Sequence, residues 1–97
     1  MELHDYDDPV YIISVASDIL NIHPQTLRMY EREGLLEPKR TGSNNRMFSM
    51  KDLDEVKEIR KLTREEGVNL AGVRIIMKMR REMDLLKSNL KKFEQVP

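Results

Sequence analysis

The chain has 97 residues, of which 39% are hydrophobic and 35% charged, with acidic and basic side chains in equal number. So lean an apolar fraction fits one domain with an appendage, whose small core is helped by a partner. The absence of cysteine excludes disulfides, thiolate metal ligands and redox switching, and no apolar run reaches membrane-spanning length or reads as a signal peptide, so a soluble cytoplasmic protein is expected.

The neutral total hides an asymmetry. Glu2, Asp5, Asp7 and Asp8 crowd the start of the chain, so the remaining body is basic. The acidic head lacks apolar periodicity and is expected to be a disordered extension over residues 1–9. Val10-Tyr11-Ile12-Ile13 is a short β-type run, either a brief strand or a lead-in packed on the core. Ser14 suits the N-cap of a first helix in which Val15, Ala16, Ile19 and Leu20 recur at helical spacing. Asn21 suits a turn, and Ile22 a buried anchor.

His23-Pro24 opens a second helix with proline at the first helical position, where its missing N–H costs nothing, and Gly34 stops it. Leu27 points inward, and the outer face is polar, cationic and aromatic. Two short helices across a tight turn spell helix-turn-helix. Leu35 and Leu36 return the chain to the core. Glu37–Thr41 then reads as an extended segment, Gly42–Asn45 as a turn and Arg46–Phe48 as the returning strand, a hairpin wing that must lean on the helices.

Ser49 caps a third helix, with Asp52 as the acidic partner of a capping box. Leu53, Val56, Ile59 and Leu62 or Thr63 form its apolar stripe, and Gly67 ends it. Asn69 caps the last helix. There Ile76, Met79, Met83, Leu86, Leu90 and Phe93 are spaced 3, 4, 3, 4, 3, with Glu82 and Lys87 on the flanks. A seam with no core left to cover calls for a second copy of the chain. The fold class is therefore mainly α, a winged helix-turn-helix domain over 10–73 followed by a C-terminal dimerisation helix over 74–97.

The second helix carries the candidate chemistry. Gln25 and Thr26 lie in its first turn, where side chains reach base edges in a DNA groove, although polar residues at a helix start are also common. Arg28 can fork onto phosphate or guanine, or simply pair with Glu31 or Glu33. His23 is an N-cap with a phosphate contact or a solvated side chain. Tyr30 can offer its hydroxyl to a phosphate while its ring packs, or belong to the core alone. Arg40 and Arg46 flank the wing turn and suit a minor groove or its phosphates, or serve as edge-strand charges that block aggregation. Lys39, Asn44 and Asn45 join them by proximity. The cluster Lys57, Arg60, Lys61 and Arg64 reads as a solvated face, or in part as a contact to flanking phosphates, and Met77, Met79 and Met83 as core or seam rather than a promiscuous binding groove. No nucleophile–base set, glycine-rich phosphate loop or paired carboxylates appear, so no enzyme is expected. His23 has only His4 as a fellow histidine, so neither a metal site nor a cofactor is expected.

Leu27-Arg28-Met29-Tyr30-Glu31-Arg32-Glu33-Gly34-Leu35-Leu36-Glu37-Pro38 resembles the MerR-family motif L-R-Y-Y-E-x-x-G-L-L-x-P. Arg46-Met47-Phe48-Ser49 resembles the family's Y-R-x-Y-[ST] wing, and Gly67-Val68-Asn69-Leu70 its G-[FV]-x-L segment. The likeness spans roughly residues 11–80. Within the family, Tyr11–Ala16, His23–Arg28 and Glu65–Val73 look like the heat-shock repressor branch. Two departures, Met29 and Asn45 where the family has tyrosines, remove aromatic rings from DNA-facing positions. The resemblance implies a repressor of chaperone operons that binds double-stranded DNA as a homodimer, with an antiparallel seam and a DnaK-type chaperone as corepressor. In the family the arginine matching Arg28 grips the backbone. A two-fold dimer implies an inverted-repeat operator. Because the chain closes soon after the seam, no small-molecule effector domain is expected. The alternatives are a protein-interaction module and an excisionase-like architectural factor on the same winged fold.

Overall fold

A computed structural model describes residues 5–94 of the chain. The elements run β1 (Tyr11–Ile12), α1 (Ile13–Leu20), α2 (Pro24–Arg32), β2 (Lys39–Arg40), β3 (Arg46–Phe48), α3 (Met50–Arg64) and α4 (Leu70–Glu94). The strands form one antiparallel sheet in the order β1-β3-β2. The run at Val10–Ile13 is thus a strand, and it widens the expected hairpin into a three-stranded sheet. Tyr11 pairs with Phe48 and Ile12 with Met47, while Lys39 pairs with Met47 and Arg40 with Arg46.

One core gathers residues from nearly every element: Ala16 of α1, Leu27 and Tyr30 of α2, Leu35 and Leu36 after it, Phe48 of β3, Leu53, Val56, Ile59 and Leu62 of α3, and Val73 and Met77 of α4. The α3 stripe is the one its spacing predicts. In α1 only part of the apolar periodicity is buried. Ala16 is in the core and Leu20 packs against it, but Val15 and Ile19 are exposed. Ala16 and Leu20, four residues apart, share the face of α1 that meets α2, α3 and the sheet, whereas Val15 and Ile19 lie on the neighbouring row that faces outward.

The helix ends follow local chemistry. Ser49 accepts from the Asp52 N–H at 3.1 Å while Asp52 accepts from the Ser49 N–H at 2.9 Å, which completes the capping box. Asn69 Oδ1 accepts from the Gly72 N–H at 2.8 Å at the start of α4. Gly34, at φ 75°, turns the chain out of α2 so that the Leu35 N–H reaches the Tyr30 carbonyl at 2.8 Å. The cap expected at Ser14 is corrected: α1 begins at Ile13, two residues earlier than that cap implies, directly from β1, and its N-cap Ile12 has an aliphatic side chain with nothing to offer the first N–H groups.

Part of the acidic head departs from the expected disorder. The Asp8 N–H donates to the Asp5 carbonyl, the Lys51 N–H to the Tyr6 carbonyl at 3.1 Å, and the Tyr6 hydroxyl to Asp54 Oδ2 at 2.6 Å. Residues from Asp5 onward therefore lie as a turn on the first turns of α3. Their backbone bonds supply the order that apolar periodicity does not. Residues 1–4 of the expected extension, and 95–97 of the expected dimerisation helix, lie outside the described residues.

The boundary expected at residue 73 falls inside the continuous α4. Val73 and Met77 belong to the core, and arginines secure the same stretch. Arg74 donates to the Glu33 carbonyl and to Glu33 Oε2, both at 2.7 Å, so a cation sits at the C-terminal end of α2, where the helix dipole favours it. Arg81 reaches the Leu35 carbonyl at 3.0 Å, and Arg80 pairs with Glu58 at 2.7 Å. Beyond this stretch, Met79, Met83, Leu86, Leu90 and Phe93 are between 52% and 79% exposed. Ile76 differs from the rest of the seam in that it packs partly against the core.

Candidate nucleic-acid interface

The second helix of the helix-turn-helix is entered through His23, whose Nδ1 accepts from the Gln25 N–H at 3.1 Å. This makes His23 the N-cap of α2, with Pro24 behind it. Gln25 is exposed and Thr26 half-buried on the first turn. One face of α2 then carries Gln25, Arg28 and Arg32, spaced by three and four residues. Arg32 is exposed and was not singled out from the sequence, although this spacing marks it. Met29 is half-buried against the core, so the missing aromatic ring is replaced by a packing side chain.

Arg28 forms no ion pair among the described residues. Glu31 and Glu33, its nearest carboxylates in sequence, are engaged elsewhere: Glu31 with Arg40 and Arg46, and Glu33 with Arg74. Arg28 instead lines a depression of about 310 Å³ between α2 and the wing, together with Ile12, Ile13, Asn44, Asn45 and Arg46. No carboxylate lines it. Four sequence-derived candidates thus meet at one cationic, amide-rich hollow beside the exposed face of α2. Asn44 turns the wing at φ 66°, a role for which the sequence offered Gly42 as readily.

Arg40 and Arg46 sit at the base of the wing turn and face each other across the two strands. Arg40 Nη2 reaches Glu31 Oε1 at 3.0 Å and Arg46 Nε reaches the same atom at 2.9 Å. Both arginines that flank the wing turn are thus tied to α2. Glu31 was missed as a partner of the wing because its contacts join residues far apart in sequence.

Two other candidates lie away from the hollow. Lys39 lines a separate depression with Asp7, Glu37, Lys51, Asp52, Glu55 and Arg81. There burial pushes the Glu55 carboxyl above the usual carboxylate range, and Arg81 partly offsets the shift. Tyr30 is a core residue. Burial raises its hydroxyl pKa above the ordinary tyrosine value, against the opposing pull of Arg60 and Arg64. The basic cluster of α3 is more than a solvated face. Arg60 reaches the Leu20 and Asn21 carbonyls at 3.5 Å and closes the end of α1, while Lys57, Lys61 and Arg64 surround a hollow floored by Ile19 and Leu20. Among the described residues no group of three or more His, Asp or Glu side chains could hold a metal ion, and no helix is long and apolar enough to cross a membrane.

The family model for MerR helix-turn-helix regulatory proteins matches residues 11–80, which takes in α1, α2, the wing, α3 and the start of α4. The chain belongs to the MerR family. It is 42% identical over 77 residues to the heat shock protein HspR of Streptomyces coelicolor, covering 79% of this chain and 51% of that one, so it spans about half of that relative's length. The Bacillus subtilis regulator TnrA is 30% identical over 89 residues, covering 91% of this chain and 78% of TnrA. Among solved structures, HiNmlR, a MerR family regulator lacking the sensor domain and bound to promoter DNA, superposes with a TM-score of 0.69 at 29% identity, over 87% of this chain and 64% of that one. These MerR relatives are regulators rather than enzymes, in keeping with the absence of a catalytic set in the sequence.

Proposed function

We propose that this MerR-family chain is a DNA-binding transcriptional regulator that represses heat-shock or chaperone genes by binding an inverted-repeat operator as a homodimer. The observation that carries the reading is the carboxylate-free hollow in which Arg28 and Arg46 meet beside the exposed Gln25–Arg32 face of α2. A surface built to meet a polyanion keeps cationic donors uncommitted: among the described residues Arg28 forms no ion pair, on the helix that enters a groove in helix-turn-helix proteins, and Arg46 beside it engages Glu31 through Nε alone. Gln25 and Thr26 then read bases, while Arg28 grips the backbone and fixes register. The HiNmlR likeness supports DNA as the ligand, and the HspR likeness supports heat-shock genes as the target. The exposed seam of α4 supports the dimer, and a two-fold dimer reads a repeat of the same symmetry.

Selection of bound sequences from random DNA tests this directly. The expected result is an inverted repeat whose half-sites lie on one face of the duplex. A set of selected sequences with no shared motif, or with a single half-site, contradicts the reading. Transcription from a promoter carrying the selected site should fall on addition of the protein; a rise would make the regulator an activator. The protein-interaction alternative predicts no selection at all.

A further inference from the structure

We infer that Glu31 is a positioning residue for DNA binding: one oxygen of its carboxylate, offered from the recognition helix, fixes both wing arginines in place so that their remaining donors face the phosphate backbone. The inference rests on the DNA-binding reading above and assigns a role to an acidic residue that this reading leaves unexplained. A glutamate in the last turn of a helix that meets a polyanion repels it, so its presence calls for a compensating task.

The β2–β3 register supplies that task. Arg40 lies directly opposite Arg46, and like charges at such a position destabilise an antiparallel pair. The two strands hold only two and three residues, so the ladder has little with which to resist the repulsion. Glu31 Oε1 stands between the guanidinium groups, 3.0 Å from Arg40 Nη2 and 2.9 Å from Arg46 Nε. Its side chain is 19% exposed and that of Arg46 28%, so this pair is less screened than a surface ion pair, whereas Arg40, at 39%, is held at the solvent edge. The arginines are held by part of their donor sets. Arg40 gives Nη1 to the Asn44 carbonyl at 3.4 Å and keeps Nε. Arg46 engages through Nε, keeps both Nη atoms and lines the hollow beside Arg28. Two arginines and one glutamate leave a net positive charge, so the site attracts phosphate while its geometry is set beforehand. Side chains ordered before binding need not lose their freedom on binding.

The test uses the chain as it stands, the inverted repeat selected above and an unrelated duplex of equal length. Affinities for both duplexes are measured for the wild type, Glu31→Gln, Glu31→Ala and the control Glu37→Gln. The control removes the same charge from an exposed residue that forms no ion pair among the described residues. Charge alone predicts that every variant binds more tightly. Both arginines keep their charge in Glu31→Ala, so loose binding to the unrelated duplex persists, whereas the registered complex loses the wing geometry that fits phosphates in step with the base contacts. The inference therefore predicts that Glu31→Ala lowers the ratio of specific to unrelated binding by about tenfold or more, that Glu31→Gln falls between it and the wild type because an amide oxygen still accepts from both arginines, and that Glu37→Gln leaves the ratio unchanged. A loss of folded protein lowers both affinities together and does not move the ratio, so a ratio unchanged in Glu31→Ala overturns the inference even if that variant is destabilised. A ratio lowered equally by Glu37→Gln also overturns it. A wild type that binds neither duplex overturns the DNA-binding reading itself, whereas a specific wild type with an unaffected Glu31→Ala overturns the inference alone.

Discussion

Leu86→Glu probes the seam of α4. Leu86 is 67% exposed in the single chain, so most of its burial is still to be gained from a partner. Fully burying a leucine stabilises by about 1.5–3 kcal/mol, so the part left to gain is roughly 1–2 kcal/mol. A two-fold dimer carries the residue twice, and the substitution therefore forfeits roughly 2–4 kcal/mol of association before any cost of desolvating two carboxylates. Each 1.4 kcal/mol is a factor of about ten, so the dissociation constant should rise by about 30-fold to 700-fold from this loss alone. Sedimentation equilibrium over a concentration series measures it. Leu85→Glu is the matched control: Leu85 is 63% exposed but lies off the 3-4 repeat, so its effect should be far smaller. Refutation takes either of two forms, a dimer that survives Leu86→Glu with its constant unchanged, or a wild-type chain that stays monomeric at tens of micromolar (~10⁻⁵ M, the weak end for a stable pair).

Three further outcomes are expected. Arg28→Ala should weaken binding to all duplexes and reduce the slope of log affinity against log salt by about 0.9, the share of one phosphate contact; titrations at several salt concentrations with an unchanged slope would remove Arg28 from the backbone grip. Gly34→Ala should destabilise the fold by roughly 1–2 kcal/mol, because φ is 75° and nothing lies within 4 Å of the added Cβ, so the cost is purely that of left-handed backbone; urea unfolding with an unshifted midpoint would contradict the cap. The Tyr6 hydroxyl is pushed up to about 12, first by its hydrogen bond to Asp54 and then by burial. A raised tyrosine pKa favours the neutral form in the fold, so this contribution to stability is complete below pH 10 and fades as pH rises from about 10 to 12. Absorbance at 295 nm should show a late-titrating tyrosine that returns toward pH 10 in Asp54→Asn; if Asp54→Asn leaves the titration unaltered, the head does not dock through this bond.

Much of this molecule is decided by the sequence alone, because the relevant forces are local. The capping box at Ser49 and Asp52, the Asn69 cap, Pro24 at the start of α2 and the stop at Gly34 each depend on residues within one turn, and all are legible from spacing. The α3 stripe and the seam are likewise patterns along single helices, as is the Gln25–Arg28–Arg32 face that places Arg32 beside the candidates.

What only the tertiary structure decided is how charges and backbone pair across distance. The sequence offers Arg28 two nearby glutamates; the fold gives Glu31 to the wing and Glu33 to Arg74, leaving Arg28 free to line the hollow. It also joins β1 to the wing, ties the acidic head to α3 and packs Tyr30 in the core. Side-chain pairing is a competition among all partners the fold brings within a few ångströms, and sequence separation says nothing about who wins. Hydrophobic period fixes which face of a helix is buried, but only the assembled chain fixes what stands opposite the other face.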